Sequence, residues 1–158
     1  MKKTKQAPTP DKWATGSFMF RARPFEFVIA VLIVPKETEG ALGAEVLRAV
    51  RETPDLRKRF IGSSLVEYLR DKKPPMCGFQ AATSLWVEDR FSMFLVFRSD
   101  ASMATFTHEL THVQEVMTDL DLLDTPSFER SETLAYIMQR IMERIEEGLE
   151  KLAVKATK

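Results

Sequence analysis

Ser92-Met93-Phe94-Leu95-Val96-Phe97, followed after Arg98-Ser99-Asp100-Ala101-Ser102 by Met103-Ala104-Thr105-Phe106-Thr107-His108-Glu109-Leu110-Thr111-His112-Val113-Gln114-Glu115-Val116-Met117, is the stretch that decides the fold class. The first segment is apolar and short, as a sheet strand is, and the second holds neither Gly nor Pro, which predicts a helix of about four turns. Ser99, Asp100 and Ser102 are each suited to cap that helix, because a short side-chain oxygen can accept a bond from an unpaired amide of the first turn.

Upstream, Thr83-Ser84-Leu85-Trp86-Val87 is a second strand-like run, and the intervening Glu88-Asp89-Arg90 predicts a hairpin. Further back, Phe25 to Val34 is an unbroken apolar run ended by Pro35, the pattern of a strand buried on both faces. Ala41 to Arg51 places Leu42, Val46, Leu47 and Val50 on one helical face. Phe60 to Tyr68, with Ser63 and Ser64 as caps, predicts a short helix before Lys72-Lys73-Pro74-Pro75. Downstream, the histidine-bearing helix is expected to end between Asp119 and Asp124. Thr125-Pro126 then starts a long amphipathic helix striped by Met138, Ile141, Met142, Ile145, Leu149 and Leu152. The expected fold is therefore α+β: a small sheet packed against the histidine helix and a long C-terminal helix. Residues 1–12, rich in Lys, Thr, Gln and Pro, and residues 154–158 are expected to be flexible tails around one domain, 13–153.

Composition narrows the classes of function. A chain of 158 residues, 44% hydrophobic, can bury one core. Lys plus Arg and Asp plus Glu both number 23, so no net field draws nucleic acid or an anionic membrane, and Arg57-Lys58-Arg59 is expected to be solvated surface. Phe25 to Val34 is about half the length a membrane span requires, and no signal-peptide run follows the basic start, so a cytoplasmic protein with no membrane partner is expected. The lone Cys77 forms no internal disulfide.

The chemistry lies in His108-Glu109-Leu110-Thr111-His112. Histidines at i and i+4 fall on one helix face about one turn apart and can share a zinc ion, while Glu109 beside the first ligand suits a general base acting on metal-bound water. These are the only two histidines in the chain. A catalytic site needs a third protein ligand. Glu129, Glu132 and Cys77 are the candidates, with Glu132 favoured because a short loop can fold the next helix back antiparallel against the motif. Tyr136, at i+4 from Glu132, is a candidate hydrogen-bond donor to a developing oxyanion or a ligand carboxylate, and equally an amphipathic core residue with its hydroxyl at the surface.

Together, His108 to His112 and Glu132-Thr133-Leu134-Ala135-Tyr136-Ile137-Met138-Gln139 resemble the small gluzincin-like metallopeptidases encoded by tailed bacteriophages and prophages, over roughly Leu85 to Arg140. The resemblance implies a minimal zincin-like fold, zinc bound by His108, His112 and Glu132, Glu109 as catalytic base, a peptide or protein substrate, and residence in a host cytoplasm. Thr105 and Val113 fit the wider zincin pattern; Gln114 stands where that pattern has an apolar residue. With no further histidine to stabilise the transition state, cleavage is expected to be slow or substrate-restricted. The alternative is a non-catalytic, metal-stabilised assembly module that forms a homo-oligomer through the C-terminal stripe. A deformylase-like site using Cys77 lacks that class's other motifs, and a di-iron carboxylate bundle would need a third histidine.

Overall fold

The computed structural model describes residues 13–23, 27–38, 42–60, 83–87, 90–119 and 127–157. It is a mixed α+β fold with strands β1 (Gly16–Ala22), β2 (Phe27–Val34), β3 (Thr83–Val87) and β4 (Arg90–Arg98). The helices are α1 (Leu42–Glu52), α2 (Pro54–Phe60), α3 (Met103–Asp119) and α4 (Ser127–Ala156). The strands form one sheet in the order β1-β2-β4-β3. β1 and β2 pair antiparallel with Ala22 opposite Phe27, and β3 and β4 pair antiparallel with Val87 opposite Arg90. β2 and β4 run parallel, with Val31 opposite Leu95.

The unbroken apolar runs of β2 and β4 follow from that order, since both are interior strands with helices over each face. Alternate residues Ile29, Val31 and Ile33 join Met93, Leu95 and Phe97 in the larger core, which α3 and α4 cover. Ala30, Leu32 and Val34 join Phe94 and Val96 on the other face, against Val50 of α1 and Leu56 of α2. α3 contributes Phe106, Leu110, Val113 and Met117, a stripe at helical spacing, and Phe106 stacks on Phe97 with ring centroids 4.0 Å apart.

Two elements were not anticipated. β1 has no counterpart in the sequence reading because its apolar residues Phe18, Met19 and Phe20 sit between Gly16 and Arg21 without clean alternation. Gly16 itself has φ +149°, a conformation side chains rarely adopt. α2 was masked by its charges: Arg57 and Lys58 are exposed, and among its residues of described burial Leu56 alone is buried. Of the short helix expected over Phe60 to Tyr68, only Phe60 is described, as the last residue of α2. The rest, with Cys77, lies outside the described residues.

The C-terminal stripe is packed inside the chain. Ile141, Ile145, Leu149 and Leu152 belong to the larger core, with Met138 and Met142 against its edge. Self-association through α4 would therefore have to use another of its faces. The helix continues to Ala156, into the segment 154–158 read as a tail. Among the described residues no helix is long and apolar enough to cross a membrane.

Candidate metal centre

The corner that carries β4 into α3 is held from several sides. The Ser99 amide donates to Val34 O at 2.8 Å, and the Trp13 amide donates to Ser99 O at 2.9 Å. The Trp13 indole Nε1 donates to Ala101 O at 2.8 Å, and its ring meets Phe106 edge-on at 5.7 Å. Arg98 grips Asp100 through Nε at 3.0 Å and Nη2 at 2.8 Å. Of the three possible caps, Ser102 takes the position: its Oγ accepts the Thr105 amide at 3.2 Å. The direction of α3 is thereby fixed to the sheet before the motif begins.

About 100° of rotation per residue then sorts the motif around the helix. Phe106, Leu110, Val113 and Met117 define the core side. His108 lies about 160° from Phe106 and His112 about 120°, on the same flank, while Glu109 lies only about 60° away, between histidines and core. His108 is accordingly exposed, His112 half-buried and Glu109 buried, with 5% of its surface accessible.

The two imidazole centroids are 4.9 Å apart with their planes at 90°. At Zn–N distances of about 2.0–2.1 Å a ring centroid stands roughly 3.2 Å from the ion, and tetrahedral spokes of that length end roughly 5.2 Å apart. The observed separation fits two ligands of one ion. His112 Nδ1 and Glu115 Oε2 are 3.0 Å apart. A carboxylate there selects the tautomer with hydrogen on Nδ1, which donates to Glu115 and leaves the lone pair of Nε2 free for a metal. Glu115 had no role in the sequence reading, although its i+3 spacing from His112 carried the signal.

Burial raises the pKa of Glu109 above 4.5, and the nearby His108 and His112, favouring the carboxylate, oppose part of that rise. A carboxylate that has lost hydration in this way is a stronger proton acceptor than a solvated one.

Glu132 and Tyr136 lie on α4. α4 turns Leu134, Ile137 and Ile141 to the core, so Glu132, about 160° from Leu134 and about 140° from Ile137, points outward. Tyr136 shares that outward side and is 67% exposed. It is therefore not a core residue. Among the described residues no group of three His, Cys, Asp or Glu side chains is arranged to hold a metal. The side chain of Glu129 lies outside that description, as does Cys77.

Compared with protein-family models, with curated proteins and with solved structures, the chain matches none.

Proposed function

We propose that the chain is a zinc-dependent hydrolase of the gluzincin type, acting on a peptide or amide bond in the cytoplasm. The observation that carries the proposal is the pair of imidazoles 4.9 Å apart on one face of α3, with the buried Glu109 beside them. His108 and His112 would hold the ion, His112 being oriented by Glu115. When bound, zinc acts as a Lewis acid that brings the pKa of a water to about 7. Glu109 would serve as the general base toward an attacking water and as the proton donor to the departing amine, a role favoured by its raised pKa. Glu132, exposed in the first turns of α4, is assigned as third ligand.

Metal analysis of protein purified without chelator tests the assignment. About one zinc per chain is expected, lost in the double substitution His108→Ala with His112→Ala, weakened in Glu132→Ala and retained in Glu109→Gln. Metal loss in Cys77→Ser with none in Glu132→Ala would move the third ligand to the cysteine. Cleavage of a diverse peptide library by zinc-loaded protein, above a Glu109→Gln control, tests catalysis.

A non-catalytic metal-stabilised module is the second reading. It is favoured by the sequence holding no third histidine to stabilise a transition state. Stoichiometric zinc without cleavage above the Glu109→Gln control would establish it.

A further inference from the structure

The outer face of α3 carries more than the two imidazoles. Ala104, Thr111 and Glu115 lie within about 60° of His108 around the helix, and all three are exposed, as His108 is. Of the His112 side chain 45% is accessible. Ala104 and Thr111 are small, and the Thr111 hydroxyl turns back to donate to Thr107 O at 3.1 Å, so neither side chain extends past the imidazoles.

The charges of this helix are all of one sign. Glu109, Glu115 and Asp119 are its charged residues, and no Lys or Arg accompanies them. Two such faces brought together repel each other, and a divalent cation between them reverses the sign of that interaction. The histidine pair also supplies half of a zinc shell, which takes four ligands in a tetrahedron. Rings 4.9 Å apart fit two corners, and a two-fold axis through the ion would place the same two residues of another copy at the remaining two. Contact about a two-fold axis uses the same patch on both copies, and an exposed face with small side chains beside the histidines permits that approach.

We propose that two copies of this chain share one zinc ion through His108 and His112 of each when zinc is scarce, and that this pair is a latent state of the site. Four imidazoles fill the shell and leave no position for water, so the shared form does not hydrolyse. With zinc in excess each chain takes its own ion and the pair separates by mass action. Glu115, 3.0 Å from His112 Nδ1, orients that ring in both forms. The proposal rests on the reading of the two histidines as zinc ligands, and not on hydrolysis or on Glu132.

The test is titration of the chelator-stripped full chain with zinc chloride, following mass by light scattering and bound metal by equilibrium dialysis. The mass should double near about half an equivalent of zinc per chain and return to that of a single chain beyond about one equivalent. His108→Ala with His112→Ala should stay single at every zinc concentration, with an unchanged circular dichroism spectrum. Glu115→Gln should require about tenfold more free zinc to pair. Glu132→Ala should pair normally and remain paired at higher zinc than the parent. One zinc bound per chain with no change of mass at any ratio overturns the sharing and leaves the hydrolase reading standing. Pairing that persists in excess zinc, with no second ion taken up, supports the sharing and removes the hydrolase reading. Doubling of mass in the double histidine variant overturns the proposal by placing the contact elsewhere, and failure to bind zinc at all overturns both.

Discussion

Replacing Gly148 by Ala isolates the contact that seats α4 on β1. Helix propensity alone favours Ala over Gly by about 0.8–1.0 kcal/mol in a helix interior. The structure predicts the opposite sign. A Cβ at Gly148 would stand 2.5 Å from Cδ2 and from Cζ of Phe18, and nearer still to Cε2. Carbon atoms rest at about 3.5–4.0 Å, so the ring would have to withdraw by roughly 1 Å. Phe18 is packed against the larger core and cannot do so without disturbing it. Overpacking of this kind costs about 1–3 kcal/mol, which leaves a net loss of up to about 2 kcal/mol after the propensity gain. For a chain of this length the melting temperature should fall by up to about 8 °C. The decisive measurement is a double-mutant cycle by thermal and urea unfolding with Phe18→Ala. Phe18→Ala destabilises by itself, but in its background Gly148→Ala should become stabilising by about 1 kcal/mol. A rise in melting temperature for Gly148→Ala in the parent, or an equal loss with and without the Phe18 ring, would refute the reasoning.

Three further outcomes are expected. In metal-free protein Glu109→Gln should be stabilising at neutral pH. The folded-state pKa of Glu109 is raised, so folding takes up protons and wild-type stability declines as pH rises from 4.5 through that higher value; the advantage of Gln should close on acidification, and a pH-independent difference in urea midpoints would contradict it. Trp13→Leu removes the bond to Ala101 O and the ring contact with Phe106, for a loss of about 1–3 kcal/mol read as a lowered denaturant midpoint at unchanged slope. Ser102→Ala should cost about 1 kcal/mol and speed hydrogen exchange at the Thr105 amide, whereas an unaltered exchange rate would place the cap elsewhere.

Where one physical signal dominated, the sequence was readable. The apolar runs of β2 and β4 and the Gly- and Pro-free segment of α3 each pointed to the observed element, because burial on both faces or on one stripe leaves a periodic trace. β1 was missed for the converse reason: its alternation is blurred, and its existence depends on pairing with β2. The parallel register of β2 with β4 left no local trace, since it is set by residues far apart along the chain. Within the site, the i,i+4 spacing sufficed to bring His108 and His112 together, a relation internal to one helix. Glu132 and Tyr136 depended on how a second helix is rotated, and Leu134 and Ile137, competing for the same core, decided that rotation.

The β1-β2-β4-β3 order makes the sheet two antiparallel hairpins joined along a single parallel seam. Each hairpin closes a short loop, but the seam between Val31 and Leu95 closes a long one, whose entropy must be lost before any contact across it forms. Assembly of the seam is therefore the slow event in the birth of the native chain. Since α3 stacks Phe106 on Phe97 of β4, a strand of that seam, the platform beneath the histidines is complete only after that event. A nascent or heat-stressed chain would carry both imidazoles on a helix with no sheet to face. Its capacity to hold an ion should thus report on the finished topology, with metal uptake during refolding following closure of the seam and not formation of the helix.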